Sequence, residues 1–301
     1  MSISYKHECL FIEIPRTNGL SWRSMLSIKE NDIINETDWM IIHGQSGLSH
    51  IHPRVFDKSH FLMMHIMQLK LINKLVFDSF FKFTFVRNPW DRLASQYFNH
   101  YNEYYSEFEL FINKIIEPVE YINNNFVFDV NDSFYEDYSR IVYNTLFNID
   151  IDKPYEPRLD PNALRTGARA MFLDDHGKYR YQEGRLDINT NIDYDYFVHF
   201  IPSFIPQHLY VYNASSNLLV NFVGRFENYL KDATYILDHL NIDTEVFNIN
   251  QYKWINSIAN KKLASEFEKS NDDYKEMYND KTRKIVAKLY ATDIEMFGYE
   301  F

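Results

Sequence analysis

Two short segments constrain this chain more than any others: a nearly continuous apolar run, Cys9 to Ile14, and an aromatic-rich one, Phe80 to Val86. A strand that is apolar at almost every position is covered on both faces, as in a parallel sheet. Each run breaks at a turn and is followed by a helical pattern. Pro15-Arg16-Thr17-Asn18-Gly19-Leu20-Ser21 precedes Trp22 to Ile28. Arg87-Asn88-Pro89-Trp90-Asp91-Arg92 precedes a stretch in which Leu93, Tyr97 and Tyr101 recur every fourth residue. Pro89 suits the first helical position and Asn88 its cap. Leu209 to Tyr212 and Leu218 to Val223 read as strands around the turn-rich Asn213 to Asn217, with a helix around Tyr229 to Leu240 behind them. An amphipathic helix is expected over Lys281 to Phe297, with Gly298 placed to end it. Strand, loop and helix alternate, which predicts an α/β fold with a largely parallel sheet. Glu103 to Thr190 reads only as helices and loops.

No repeat, low-complexity tract or long linker divides the 301 residues, so one domain over 1–301 is expected, with about 103–190 as an insertion. The net charge of −11 argues against a general nucleic-acid binder, because neutralising phosphates needs a basic surface. Anionic ligands must instead meet local groups of Arg. The single cysteine, Cys9, cannot form an internal disulfide. Glu13 interrupts the first apolar run too early for a signal sequence, and no stretch approaches the ~20 apolar residues of a membrane helix. A cytoplasmic protein without a membrane span is the expectation. Only 8 residues are glycine, so each is expected to serve a backbone purpose.

Ligands of parallel α/β sheets bind beyond the carboxyl ends of strands, where helix N-termini offer unpaired N–H groups and partial positive charge. Both turns have that form. Arg16 supplies a charged fork, Gly19 permits close backbone approach, and Thr17 and Ser21 add hydroxyls. Arg87 ends the second strand, Ser95 follows two helical turns later, and Asp91 could hold Arg87 or Arg92. An ordinary loop with a solvent-facing Arg, and a structural Arg–Asp pair, are the plainer alternatives. Together the two turns point to a ligand with two separated phosphates. The nucleoside-triphosphate pattern G-x-x-x-x-G-K-[ST] is absent, since the first turn has one glycine and its cation comes before it.

Pro15-Arg16-Thr17-Asn18-Gly19-Leu20-Ser21 resembles the 5′-phosphosulfate loop of the sulfotransferases, usually PKTGGTS, and Phe83 to Leu93 resembles their 3′-phosphate motif. Phe222-Val223-Gly224-Arg225-Phe226-Glu227-Asn228, the upstream Pro206-Gln207 and Asp293 to Tyr299 resemble further stretches of the carbohydrate branch. The matches keep the family's order across nearly the whole chain. The resemblance implies a P-loop-like, three-layer α/β fold with a mainly parallel sheet flanked by helices. It also implies the donor 3′-phosphoadenosine 5′-phosphosulfate (PAPS), the product PAP, a hydroxyl-bearing acceptor of the saccharide class, and no required metal.

Carried over by position, Arg16, Thr17, Asn18, Gly19, Leu20 and Ser21 would bind the phosphosulfate, and Arg87 and Ser95 the 3′-phosphate. Arg225 and Phe226 would lie near the adenine. Arg16 stands where Lys is usual and Asn18 where Gly is usual; Arg16 would stabilise charge on the departing oxygen, and Asn tolerates positive φ. A His with a pKa near ambient suits the base, and relatives commonly place one after the second strand. In this chain His43 in Trp39-Met40-Ile41-Ile42-His43-Gly44-Gln45 is the match. His50, His52, His60 and His65 show no metal-binding spacing. The Tyr97–Tyr105 aromatics read as packing. Arg158, Arg165, Arg169, Lys178, Arg180 and Arg185, in and beside the Pro154 to Gly184 stretch, could form an acceptor wall. Two other readings stay open: an Mg²⁺-dependent ATP phosphotransferase, and a nucleotide-binding relative without turnover.

Overall fold

A computed structural model describes residues 2–19, 22, 39–41, 60, 62–68, 72–102, 104–128, 132–147, 170–173, 179–182, 201–242 and 273–301. Strands β1 (Ser2–Ser4), β2 (Cys9–Ile12), β3 (Trp39–Ile41) and β4 (Phe81–Val86) are followed by a separate pair, β5 (Ala170–Leu173) and β6 (Tyr179–Gln182), and then by β7 (Phe222–Arg225). The main sheet has the order β3-β1-β2-β4-β7. β2 pairs with β4 and β4 with β7 in parallel, as expected for apolar runs buried on both sides. The sheet is nonetheless mixed, which corrects the expectation of a mainly parallel one. β1 turns back through Tyr5–Glu8 and lies antiparallel to both β2 and β3. A connection this short can join only antiparallel neighbours.

The parallel register decides where the site can form. Ile12 is level with Thr84, and Val86 with Arg225, so the chain leaves β2, β4 and β7 at one edge of the sheet. β3 runs in the same direction as β2, and its Ile41 pairs with Ser2, which in turn pairs with Phe11.

Successive residues of a strand face opposite sides. Cys9, Phe11, Phe83 and Phe85 form one core with Trp22, Tyr229, Ala233, Ile236 and Leu237. Leu10, Ile12 and Val86 belong to a second core that runs into the helices of the other face. Helices α1 (Met63–Gln68) and α2 (Lys74–Ser79) precede β4, and α3 (Pro89–Gln96) follows it, continuing into a π-helical turn at Tyr97–Tyr101. Leu93, Tyr97 and Tyr101 are all buried, so the four-residue spacing did mark a core face.

The 103–190 stretch contains α4 (Phe108–Asn125), α5 (Asp132–Phe147) and the antiparallel β5–β6 pair, so strands occur where only helices and loops were expected. Phe111, Ile115, Val119, Tyr138 and Val142 share one core with Leu10 and Ile12. Leu209 to Tyr212 is also not a strand: α6 (His208–Val211) forms there, and one antiparallel bridge, Tyr212 to Leu218, remains of the expected pairing. The Asp293 carboxylate accepts the backbone N–H groups of Gln207 and His208, which starts a helical turn that apolar pattern alone could not announce.

Helix α7 (Tyr229–His239) sits as expected. The C-terminal helix is two, α8 (Asp280–Leu289) and α9 (Ala291–Phe297), parted at Tyr290. Tyr290 is buried and its hydroxyl donates to the Phe204 carbonyl, while Asp293 is held by Gln207 and His208, so tertiary bonds set the second helix's direction. Gly298 ends α9 with φ 61°, the left-handed cap expected of it. Among the described residues no helix is long and apolar enough to cross a membrane.

Candidate active site

The turn after β4 is built as its residue types require. The Asn88 side chain accepts the Trp90 N–H, Pro89 opens α3, and the Asn88 amide group donates to the Glu300 carbonyl. Asn88 N–H donates to Glu227 Oε1 at 2.6 Å. Arg87 is buried, and both of its backbone groups are bracketed by one side chain: its N–H donates to Gln207 Oε1 at 2.9 Å and its carbonyl accepts from Gln207 Nε2 at 2.8 Å.

Asp91 takes the Arg87 guanidinium bidentately, at 2.7 and 2.9 Å, while Phe226 lies under it with 4.0 Å from guanidinium carbon to ring centre. Such a fork is fixed in plane and direction. Arg92 has a different role from its neighbour: buried, it donates to the carbonyls of Ser203 and Ile205.

The turn after β2 lies beside it. Arg87 Nη1 donates to the Arg16 carbonyl at 3.2 Å, and Arg16 reaches across with Nε at 3.3 Å and Nη2 at 2.9 Å from Ser95 Oγ. The two cations that the sequence placed at separate strand ends therefore share one corner. Arg16 and Asn18 both adopt positive φ, 68° and 74°. That conformation costs a side-chain-bearing residue about 1 kcal/mol or more, and Asn least. Thr17 is buried and its hydroxyl donates to the Ile14 carbonyl, so its hydroxyl proton is already engaged within the turn.

At Gly19 the close approach is that of Glu13: a Cβ there would lie 2.3 Å from Glu13 Oε1. His60 Nδ1 donates to the Glu13 carbonyl at 2.9 Å, which makes Nε2 the basic nitrogen of the neutral ring.

Electrostatically the corner is cationic. Burial, and then the neighbouring Arg87, lower the Arg16 guanidinium to about 9, with Asp91 opposing. It stays protonated at neutral pH. Two guanidinium groups share one carboxylate, and an anion would complete the balance.

Arg225 and Phe226, expected near a nucleotide base, stand at the end of β7 beside the C-terminal segment. The Arg225 guanidinium donates to the Phe297 carbonyl and lies 5.0 Å from the Tyr299 ring centre, so it secures the C-terminal segment, whereas Phe226 faces the corner through Arg87. Leu20, Ser21, His43, Arg158, Arg165, Arg169, Lys178 and Arg185 lie outside the described residues, as does the side chain of Arg180. Among the described residues no cluster of three His, Cys, Asp or Glu could hold a metal ion. Glu13, His60 and the Gln207 bracket were not singled out from sequence. Only Pro206-Gln207 carried a signal, and its partner is 120 residues away.

Two basic turns thus meet at one edge of the sheet. A family model described as the sulfotransferase family matches residues 1–300. Searches of curated proteins and of solved structures return no match. With residues 1–300 covered by that family's model, the chain belongs to the sulfotransferase family.

Proposed function

We propose that the chain moves a sulfuryl group from PAPS to a hydroxyl of a saccharide. The observation that carries this reading is the shared corner, in which Arg87 and Arg16 meet across 3.2 Å at the ends of adjacent parallel strands. Transfer of a sulfuryl group is what the family does; the donor and acceptor class are the further step. The β4 turn, with Arg87 and Ser95, suits the 3′-phosphate. The backbone N–H groups of the turn after β2 suit the phosphosulfate end.

The acceptor oxygen attacks sulfur in line with the bridging phosphate oxygen. The new O–S bond forms as the old one breaks, the acceptor proton passes to a base, and PAP leaves. Backbone N–H groups of the Thr17–Gly19 segment would stabilise charge on the leaving oxygen. His43 is the proposed base, and the strand before it supports that placement: β3 runs in the direction of β2, with Ile41 near the level of Phe11. His60, bonded to the Glu13 carbonyl, is the control position for this assignment.

PAP at 100 times its dissociation constant should stabilise the fold by about 2.7 kcal/mol, a rise of a few degrees in Tm. Labelled donor should pass sulfate to a saccharide panel, and His43→Ala should abolish turnover while PAP still binds. Absence of both the PAP shift and transfer would remove the reading. PAP binding with no transfer to any acceptor would favour a relative without turnover.

A further inference from the structure

We infer that Arg92 and Gln96 hold a small monovalent anion, chloride in class, inside the helical core. The site involves neither Arg16 nor Arg87 and takes no part in the proposed reaction.

The first ground is unmet bonding. Arg92 and Gln96 stand one helical turn apart on α3, so they share one face of it, and they are only 2% and 1% exposed. Arg92 Nη2 donates to the Ser203 carbonyl at 2.7 Å and to the Ile205 carbonyl at 2.9 Å. Its Nε and Nη1, and both amide atoms of Gln96, have no hydrogen-bond partner among the described residues. The Tyr101 hydroxyl interacts with Gln96, but without hydrogen-bond geometry. Buried polar atoms are nearly always paired, and four unpaired ones on adjacent turns call for a partner from outside the chain.

The second ground is charge. A guanidinium keeps its charge inside a protein, and a buried charge without a counter-charge is costly. No carboxylate pairs with Arg92 among the described residues: its neighbour Asp91 holds Arg87, and Asp293 accepts from Gln207 and His208. Tyrosines surround it instead, with the Tyr290 ring centre 5.9 Å from the guanidinium carbon. Burial holds the hydroxyls of Tyr101, Tyr138 and Tyr290 above their ordinary range, so they stay neutral and supply no negative charge.

The third ground is the excess of donors. Three N–H groups of Arg92 and two of Gln96 are set against a single carbonyl oxygen, Gln96 Oε1. A water would bring two protons that need acceptors of their own, and would leave the charge unbalanced. A halide only accepts and carries the one charge that is missing. A doubly charged oxyanion would overbalance a lone guanidinium. Bound there, the anion would tie α3 to the Ser203 and Ile205 carbonyls, just ahead of Gln207.

The test is a set of thermal melts on the full chain, with chloride exchanged stepwise for the bulky anion gluconate at constant ionic strength. The wild-type midpoint should rise by a few degrees with chloride and level off as the site fills. Gln96→Met keeps the volume and the Arg92 bonds, and should raise the half-saturating chloride about 3- to 10-fold. Arg92→Met should abolish the response. Crystals grown in bromide should show an anomalous peak bonded to Arg92 Nε or Nη1 and to Gln96, which keeps the test decisive if Arg92→Met does not fold. A wild-type midpoint indifferent to chloride, or a bromide map without that peak, overturns the inference and leaves these groups to internal water. A chloride response unchanged in both variants also overturns it, and would put the anion elsewhere, such as the corner of Arg16 and Arg87.

Discussion

The two turns at the sheet edge look alike in sequence and are held in different ways. The turn after β4 is braced from afar: Gln207 brackets Arg87, Glu227 and Glu300 hold Asn88, and the Trp90 carbonyl and indole are bonded to Tyr278 and Arg283. Asp293 stands behind Gln207. In contrast, the turn after β2 combines a local Thr17–Ile14 bond and two positive-φ residues with bonds to Arg87, Ser95 and His60. One corner is fixed by bonds from distant parts of the chain, and the other holds local backbone strain. Strain of this kind persists when neighbours enforce it, and it collects at functional sites.

Removal of the brace should have the largest effect. Asp293 is fully buried and accepts from Gln207 N, His208 N and His208 Nδ1, the last at 2.6 Å. Asp293→Ala should cost about 3 kcal/mol in urea unfolding, because one buried and two part-buried donors lose their acceptor. A loss below about 1 kcal/mol would mean the β4 corner is not braced from the C-terminal segment.

Next is the ligand-facing group of the braced corner. Arg87→Ala should weaken PAP about 100-fold by calorimetry, and an unchanged affinity would remove Arg87 from the site. Gln207→Ala leaves the Arg87 N–H and carbonyl without partners; about 2 kcal/mol of stability and about tenfold in PAP affinity should go together. A stability loss without the affinity loss would show that the bracket holds the fold but not the guanidinium.

The turn after β2 should respond least. Asn18→Gly relieves a φ of 74° at the cost of a looser unfolded chain, so the net change should stay within about 0.5 kcal/mol of zero. A large stabilisation in thermal melts would show that the strain is greater than that of an ordinary left-handed Asn.

Much of this was legible along the chain. The strand at Cys9–Ile12, the strand at Phe81–Val86, the Asn88–Pro89 helix start and the Gly298 cap each depend on neighbours a few residues away. Apolar runs, a cap side chain, a ring-locked φ and a missing Cβ act locally, so residue type alone reports them. The Leu209–Tyr212 segment shows the limit. Its apolar residues are equally compatible with a strand, and the carboxylate that made it helical is 85 residues away.

By itself the sequence determined that two basic turns would follow two buried strands, and that Arg87 would stand at one and Arg16 at the other. Only the tertiary structure decided that they share a corner, that Arg16 turns to Ser95, and that Arg225 donates to the Phe297 carbonyl. The reason is range. Local steric preferences act over one turn of chain, whereas a guanidinium's direction is chosen by whichever acceptors folding brings within 3 Å.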